Sequence, residues 1–330
     1  MSFFSINKFK NNKINNYCFS FIIPIFLTFP YLFSYIFFTP SNAIALEQDI
    51  HRNTAVSIDE EIRGLEDAIR VANESEARDI VKNKDGDTVS PKITEENNDI
   101  NSKSTIKVLM FGYHQVRETK SSDGPKTRAF ITSPETFEKE MKFLSDNGYR
   151  TISTTDYINY LKTGKTDFNL NKSVILTFDD GYASQYTNAL PILKKYGFTG
   201  TFFIYSDCID KYPACMTSAE IKDLALNGMK IGNHTDHHAF LPKYNTDIVR
   251  NEIEINKQKI IDMVGTSSVE NVFAYPYGGT DERVEEIVKS FNYEGAVGVM
   301  SSKRKQDKDL FNLKRYLLGE DYDYFLILFK

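Results

Sequence analysis

The chain has 330 residues, 41% of them hydrophobic, which is ample for one large core or two ordinary ones. A formal net charge of −5, with no lysine-rich or arginine-rich block, argues against a nucleic-acid-binding role.

In chain order, Lys8, Lys10 and Lys13 precede an apolar stretch from Cys18 to Phe38, and Ala43–Ile44–Ala45 follows it. Basic, then apolar, then small residues read as an export signal with an Ala-x-Ala cleavage site. Residues 18–38 are also long enough to remain as a membrane anchor. Residues 1–45 are therefore expected to send the chain out of the cytoplasm, to a secreted, cell-surface or periplasmic location, with peripheral membrane or cell-wall association. From 46 to 104 there are 15 Asp or Glu, 8 Lys or Arg and no aromatic residue, so this part contributes little to a core. Ile58, Ile62, Leu65, Ile69 and Ala72 recur at helical spacing and predict one amphipathic helix around 57–81, inside a solvated spacer that ends in a linker over 82–104.

Residues 105–330 alternate between strand and helix patterns and form the predicted folded domain. Strands are expected at 107–113, 149–153, 173–178, 199–205, 229–233, 271–275 and 294–299. Helices are expected over 133–147, 184–196, 217–227, 245–263 and 280–291, and 322–330 is a final strand or helix. Ser133–Pro134–Glu135 is a helix start and Gly148 a stop. Such alternation predicts an α/β fold with a parallel sheet and helices outside, open or closed into a barrel. Beyond the export signal the only cysteines are Cys208 and Cys215, a pair that in an exported chain suggests a disulfide across a short loop.

Two segments carry the chemistry. Val174–Phe178 reads as a buried strand ending in Asp179–Asp180–Gly181, and His234–Thr235–Asp236–His237–His238 places three of the chain's five histidines within five residues. Asp-Asp-Gly alone is an ordinary strand-to-turn sequence. Joined to a pair of imidazoles four apart, one carboxylate completes a three-ligand set with an open position for water, the plan of a catalytic zinc site. The neighbouring carboxylate is then free to act as a base. By spacing alone His237 substitutes for His238.

Thr-Phe-Asp-Asp-Gly at 177–181, His-Thr-x-x-His at 234–238 and Phe-Ala-Tyr-Pro-Tyr-Gly at 273–278 resemble, in order and spacing, three motifs of the polysaccharide deacetylase family, which has the NodB-homology fold and forms carbohydrate esterase family 4. The resemblance covers roughly residues 105–320 and implies a distorted (β/α) barrel of about seven strands. It assigns Asp180, His234 and His238 as metal ligands, Asp179 as base, and Tyr277, after Pro276, as the backbone donor to the oxyanion. The metal implied is divalent, zinc foremost, with cobalt, nickel and manganese also suited. The late Leu-x-His motif whose histidine often supplies the acid is missing, the late Asp-x-x-x-Trp motif is absent too, and Ala274 stands where an arginine is common. Leu109–His114, however, is similar to the strand-end Tyr-His of the subgroup that deacetylates poly-β-1,6-N-acetylglucosamine, which makes His114 the general-acid candidate. Ser218 sits where an aromatic residue is common in that subgroup. The resemblance thus implies a monomeric N-deacetylase of an N-acetylglucosamine-containing, biofilm-type surface polysaccharide. Peptidoglycan or chitin-like oligomers are the alternative substrates, and an O-acetyl esterase or a non-catalytic carbohydrate-binding protein the alternative functions.

Overall fold

The computed structural model describes residues 108–299 and 309–329; the expected export signal, the acidic spacer and its helix lie outside the described residues. Among the described residues no helix is long and apolar enough to cross a membrane.

A sheet of eight parallel strands organises the domain: β1 (Leu109–Tyr113), β4 (Arg150–Thr151), β5 (Ser173–Asp179), β6 (Thr201–Ile204), β7 (Lys230–Asn233), β8 (Val269–Ala274), β9 (Gly295–Val297) and β10 (Tyr316–Leu317). Two short strands, β2 (Gln115–Val116) and β3 (Ile131–Thr132), pair separately. Order along the main sheet is β10-β1-β5-β6-β7-β8-β9, with β4 beside the start of β5. Every residue of β5 is buried, as expected of a central strand covered on both faces. Between β9 and β1 the chain from Leu313 to Leu317 closes the circuit, because Leu313 bridges Val297 and Tyr316–Leu317 pair with Phe111–Gly112. The result is a distorted (β/α) barrel.

The two-residue period of the strands sorts the core. Leu109, Phe111, Leu176, Phe178, Phe202 and Ile204 pack outward against three helices, α2 (Pro134–Asp146), α4 (Leu190–Tyr196) and α5 (Ser218–Leu226). Met110, Ile175, Phe203, Val272 and Val297 form an inner cluster that also takes in Tyr157 and Ile158 of α3 (Thr154–Thr163). A third cluster joins Phe273, Tyr275 and Ala296 to α6 (Thr246–Val264) and α7 (Glu282–Ser290). Local signals account for the helix ends. Ser133 caps α2 by accepting from the Thr136 N–H, with proline in the first turn. Ser153 and Asp156 form a reciprocal capping box on α3. Neither α3 nor the one-turn helix α1 (Pro125–Arg128) is among the elements expected from sequence, whereas the terminal α8 (Tyr322–Ile327) resolves the choice there in favour of helix. The expected helix over 184–196 begins as a π-turn at Gln185–Ala189 before α4. Cys208 and Cys215 form a disulfide.

Candidate active site

All strands run the same way, so the ends of β1, β5, β6, β7 and β8 share one rim, where barrel sites are built. Asp179 closes β5 at the same parity as Ile175 and Thr177 and so faces inward. Its carboxylate accepts a two-pronged bond from Arg315, Nη1 to Oδ1 at 2.6 Å and Nη2 to Oδ2 at 2.7 Å. Arg315 is fully buried and also donates to Thr177 Oγ1 and the Gly298 carbonyl, both at 3.0 Å. Burial pushes Asp179 up, but the Arg315 guanidinium and the adjacent imidazole of His234 outweigh it and hold the carboxyl below its ordinary range.

The next residue, Asp180, enters the left-handed region at φ 73°, and Gly181 follows at 70°. That turn aims Asp180 Oδ1 at the two histidines of the β7 loop, 3.5 Å from His234 Nε2 and 3.1 Å from His238 Nε2. One ligating atom from each of the three residues lies within 4.8 Å of the others. His234 Nδ1 sits 2.8 Å from the Ala274 carbonyl oxygen, which places its proton there and leaves Nε2 facing Asp180. His238, at φ 57°, has its ring between Tyr205 and Tyr277, with centroids 5.4 and 4.4 Å away. His237 turns the other way, its Nδ1 2.8 Å from Glu252 Oε1 and its side chain 57% exposed. The histidine loop therefore brings His234 and His238, not His237, to Asp180.

These residues fit a divalent cation. Asp180 Oδ1 is buried and makes no hydrogen bond, although two imidazole nitrogens face it. A buried carboxylate oxygen left without a proper donor, converging with two imidazoles, is the donor set that zinc and similar ions take.

His114 follows β1 and lines the same cavity of 310 Å³ as Asp179, Asp180, His234, His238 and Tyr277. Its ring packs on Phe130 at 4.8 Å, and its buried Nδ1 makes no hydrogen bond. Burial lowers the His114 pKa, partly opposed by the nearby Asp180 and Asp179 carboxylates. Pro276 is buried at the start of a tight turn, Pro276–Gly278, in which Tyr277 is left-handed at φ 59°. Of the six non-glycine residues with positive φ among the described residues, Asp180, Thr235, His238 and Tyr277 belong to this site. Conformations of that kind cost on the order of 1–3 kcal/mol each and persist only where surroundings impose them.

Sequence reasoning missed several residues that hydrogen-bond around the site. Arg315 carries no local signal. Gln185, in the π-turn, donates from Nε2 to the carbonyls of both His114 and Asp179 and ties the ends of β1 and β5 together. On α6, Glu252 accepts from the Asp236 and His237 N–H groups at 3.0 and 2.8 Å, and Asn256 Nδ2 donates to Asn233 Oδ1 at 2.8 Å. These last two had a readable signal, because Val249, Glu252, Ile253, Asn256 and Ile260 form one buried helical stripe with two polar members.

Residues 169–296 match the family model of polysaccharide deacetylase. YxkH of Bacillus subtilis (strain 168), named for the same family, is 27% identical over 216 residues, 66% of this chain and 73% of its own. The peptidoglycan-N-acetylmuramic acid deacetylase PdaA of the same organism is 31% identical over 125 residues, 37% of this chain and 45% of its own. A poly-beta-1,6-N-acetyl-D-glucosamine N-deacetylase of Staphylococcus aureus (strain MRSA252) is 22% identical over 232 residues, 64% of this chain and 79% of its own. Among solved structures, the Streptococcus pyogenes deacetylase PplD superimposes with a TM-score of 0.59 at 21% identity, over 68% of this chain and 98% of that one, a likeness of fold.

Proposed function

We propose that this chain, whose residues 169–296 match the polysaccharide deacetylase family, is an exported, metal-dependent N-deacetylase acting on N-acetylglucosamine units of a surface polysaccharide, with a β-1,6-linked polymer favoured. The observation that carries this reading is the convergence, in one cavity, of the Arg315-clamped Asp179 with the Asp180–His234–His238 set and His114.

Asp180, His234 and His238 would hold the cation. When bound, it would lower the pKa of water and polarise an acetamido carbonyl. Asp179, kept ionised by Arg315, accepts a proton from the water that attacks the acetyl carbon. The tetrahedral oxyanion is placed beside Tyr277, whose backbone N–H is the assigned donor. The collapsing C–N bond needs a proton on nitrogen, and His114 supplies it. Burial makes His114 a weak base at rest and a correspondingly strong acid once protonated. Acetate and a free amine leave, and the amine becomes cationic, so the modified polymer binds anionic surfaces more strongly.

The β-1,6 preference is supported by the Tyr113–His114 strand end and by the relative of that specificity, whose match spans 64% of this chain against 37% for PdaA. Acetate release from β-1,6-linked oligomers, β-1,4-linked oligomers and peptidoglycan, side by side, tests it. Faster turnover of the β-1,6 oligomers is expected; turnover of peptidoglycan alone moves the substrate to the cell wall and leaves the chemistry intact.

A further inference from the structure

The ligand set has two halves, Asp180 on the turn after β5 and the histidines on the loop after β7, and the segment 206–216, which the Cys208–Cys215 disulfide crosslinks, touches both. At its start, Ser206 Oγ donates to Asp236 Oδ1, and the Asp207 N–H reaches the Asp236 carbonyl at 2.8 Å, in the middle of the histidine loop. At its end, Ala183 N–H donates to the Ala214 carbonyl at 2.8 Å and Met216 N–H to the Gly181 carbonyl at 2.9 Å, so Cys215 pairs with Tyr182 in an antiparallel bridge. Cys208 Sγ lies 4.0 Å from the carbonyl oxygen of Asp180 itself. Tyr205, whose ring rests on His238, has its hydroxyl 3.9 Å from Cys215 Sγ.

Within the loop the Lys211 and Tyr212 N–H groups donate to the Cys208 carbonyl at 3.1 and 3.3 Å and the Cys215 N–H donates to the Tyr212 carbonyl at 3.0 Å, so the disulfide is the one covalent link across a short hydrogen-bonded turn. Asp210–Ala214 is exposed throughout, so its own burial contributes little, while both cysteines are buried. Asp180 and His238 both sit in left-handed backbone that only their surroundings can maintain.

We propose that the Cys208–Cys215 disulfide is a positioning device for the metal ligands, fixing the separation of the Asp180 turn from the His234–His238 loop and thereby the affinity for the cation. The proposal rests on the reading of Asp180, His234 and His238 as ligands.

The test is zinc affinity of the full chain, measured by competition with a chromophoric chelator, alongside thermal unfolding. Cys208→Ala/Cys215→Ala removes the crosslink. Cys208→Val/Cys215→Val is made beside it because it refills the space left by the sulfur atoms. Leu144→Ala, in the last turns of α2, opens a buried cavity away from the site and serves as a control for lost stability. The expected result is a zinc affinity lower by about 10- to 100-fold in the crosslink-free chains, the usual effect of removing support from metal ligands, with Leu144→Ala unchanged. Unchanged affinity in a folded crosslink-free chain overturns the proposal and makes the disulfide a general staple. An equal loss in Leu144→Ala overturns it too, since any loosening would then suffice. Wild-type protein that binds zinc no better than Asp180→Ala sinks the ligand reading itself, a distinct outcome.

Discussion

Asp179 is buried as an anion because Arg315 meets both of its oxygens, and the pair stands or falls together. Removing the guanidinium leaves an uncompensated buried charge, which costs about 3–5 kcal/mol in comparable pairs. Arg315→Ala is therefore expected to lower the melting temperature. It should also raise the Asp179 pKa, because the charge that offsets burial is gone. A base must be ionised, so the acidic limb of kcat/KM moves to higher pH; a limb that stays put would separate Asp179 from the limb. Arg315→Lys should rescue little, since an ammonium cannot reproduce the fork. At His114 the distinction lies in the leaving group. His114→Ala should depress amide hydrolysis by about 10²- to 10⁴-fold, the range of general-acid effects. An acetate ester, whose alkoxide leaves with less help, should lose much less. Equal losses on both would remove His114 from the acid role.

At the scale of elements, β1 and α2 share a buried polar contact, Tyr113 Oη donating to Glu140 Oε2 at 2.9 Å. Burial pushes Glu140 well above the ordinary carboxyl range, with the Tyr113 hydrogen bond opposing and the Glu320 charge adding. A carboxyl raised on folding contributes stability that is fully present below its unfolded pKa of 4.5 and lost as pH rises through the folded value. Glu140→Gln keeps an acceptor for Tyr113 and has no proton to lose. Its melting temperature should match the wild type in acid and exceed it near pH 8, by about 2–4 °C per kcal/mol recovered. A variant less stable at both pH values would mean that the charge is not the cost. Elements also show what the sequence made legible. Apolar runs and Ser/Pro starts placed seven strands and five helices, and the doublet Asp179–Asp180 and the triplet of histidines marked the site. The helix α3 passed unread although Ser153 and Asp156 form its capping box, because its buried face is short. Strand β10 is only two residues long, with no run to announce it, and Arg315 precedes it directly. The clamp on Asp179 is made by pairing across 136 residues, which no local pattern carries.

For the whole molecule, a ligand that binds only the folded chain stabilises it, by about 2.7 kcal/mol at a concentration 100 times its dissociation constant. Zinc should therefore raise the melting temperature of the wild type, a chelator should reverse the rise, and Asp180→Ala should be indifferent to both. An equal shift in Asp180→Ala would put the cation elsewhere. The barrel unites residues far apart in sequence at one rim, Asp179 and Asp180 after β5, His234 and His238 after β7 and His114 after β1, and in the proposed reaction they act together on an acetamido group. The most direct measurement is acetate release from β-1,6-linked N-acetylglucosamine oligomers by zinc-loaded wild type and Asp179→Asn prepared in parallel. Release that disappears in Asp179→Asn while zinc binding persists is the predicted result. No release by a wild-type protein with zinc bound, or full release by Asp179→Asn, would contradict that reaction.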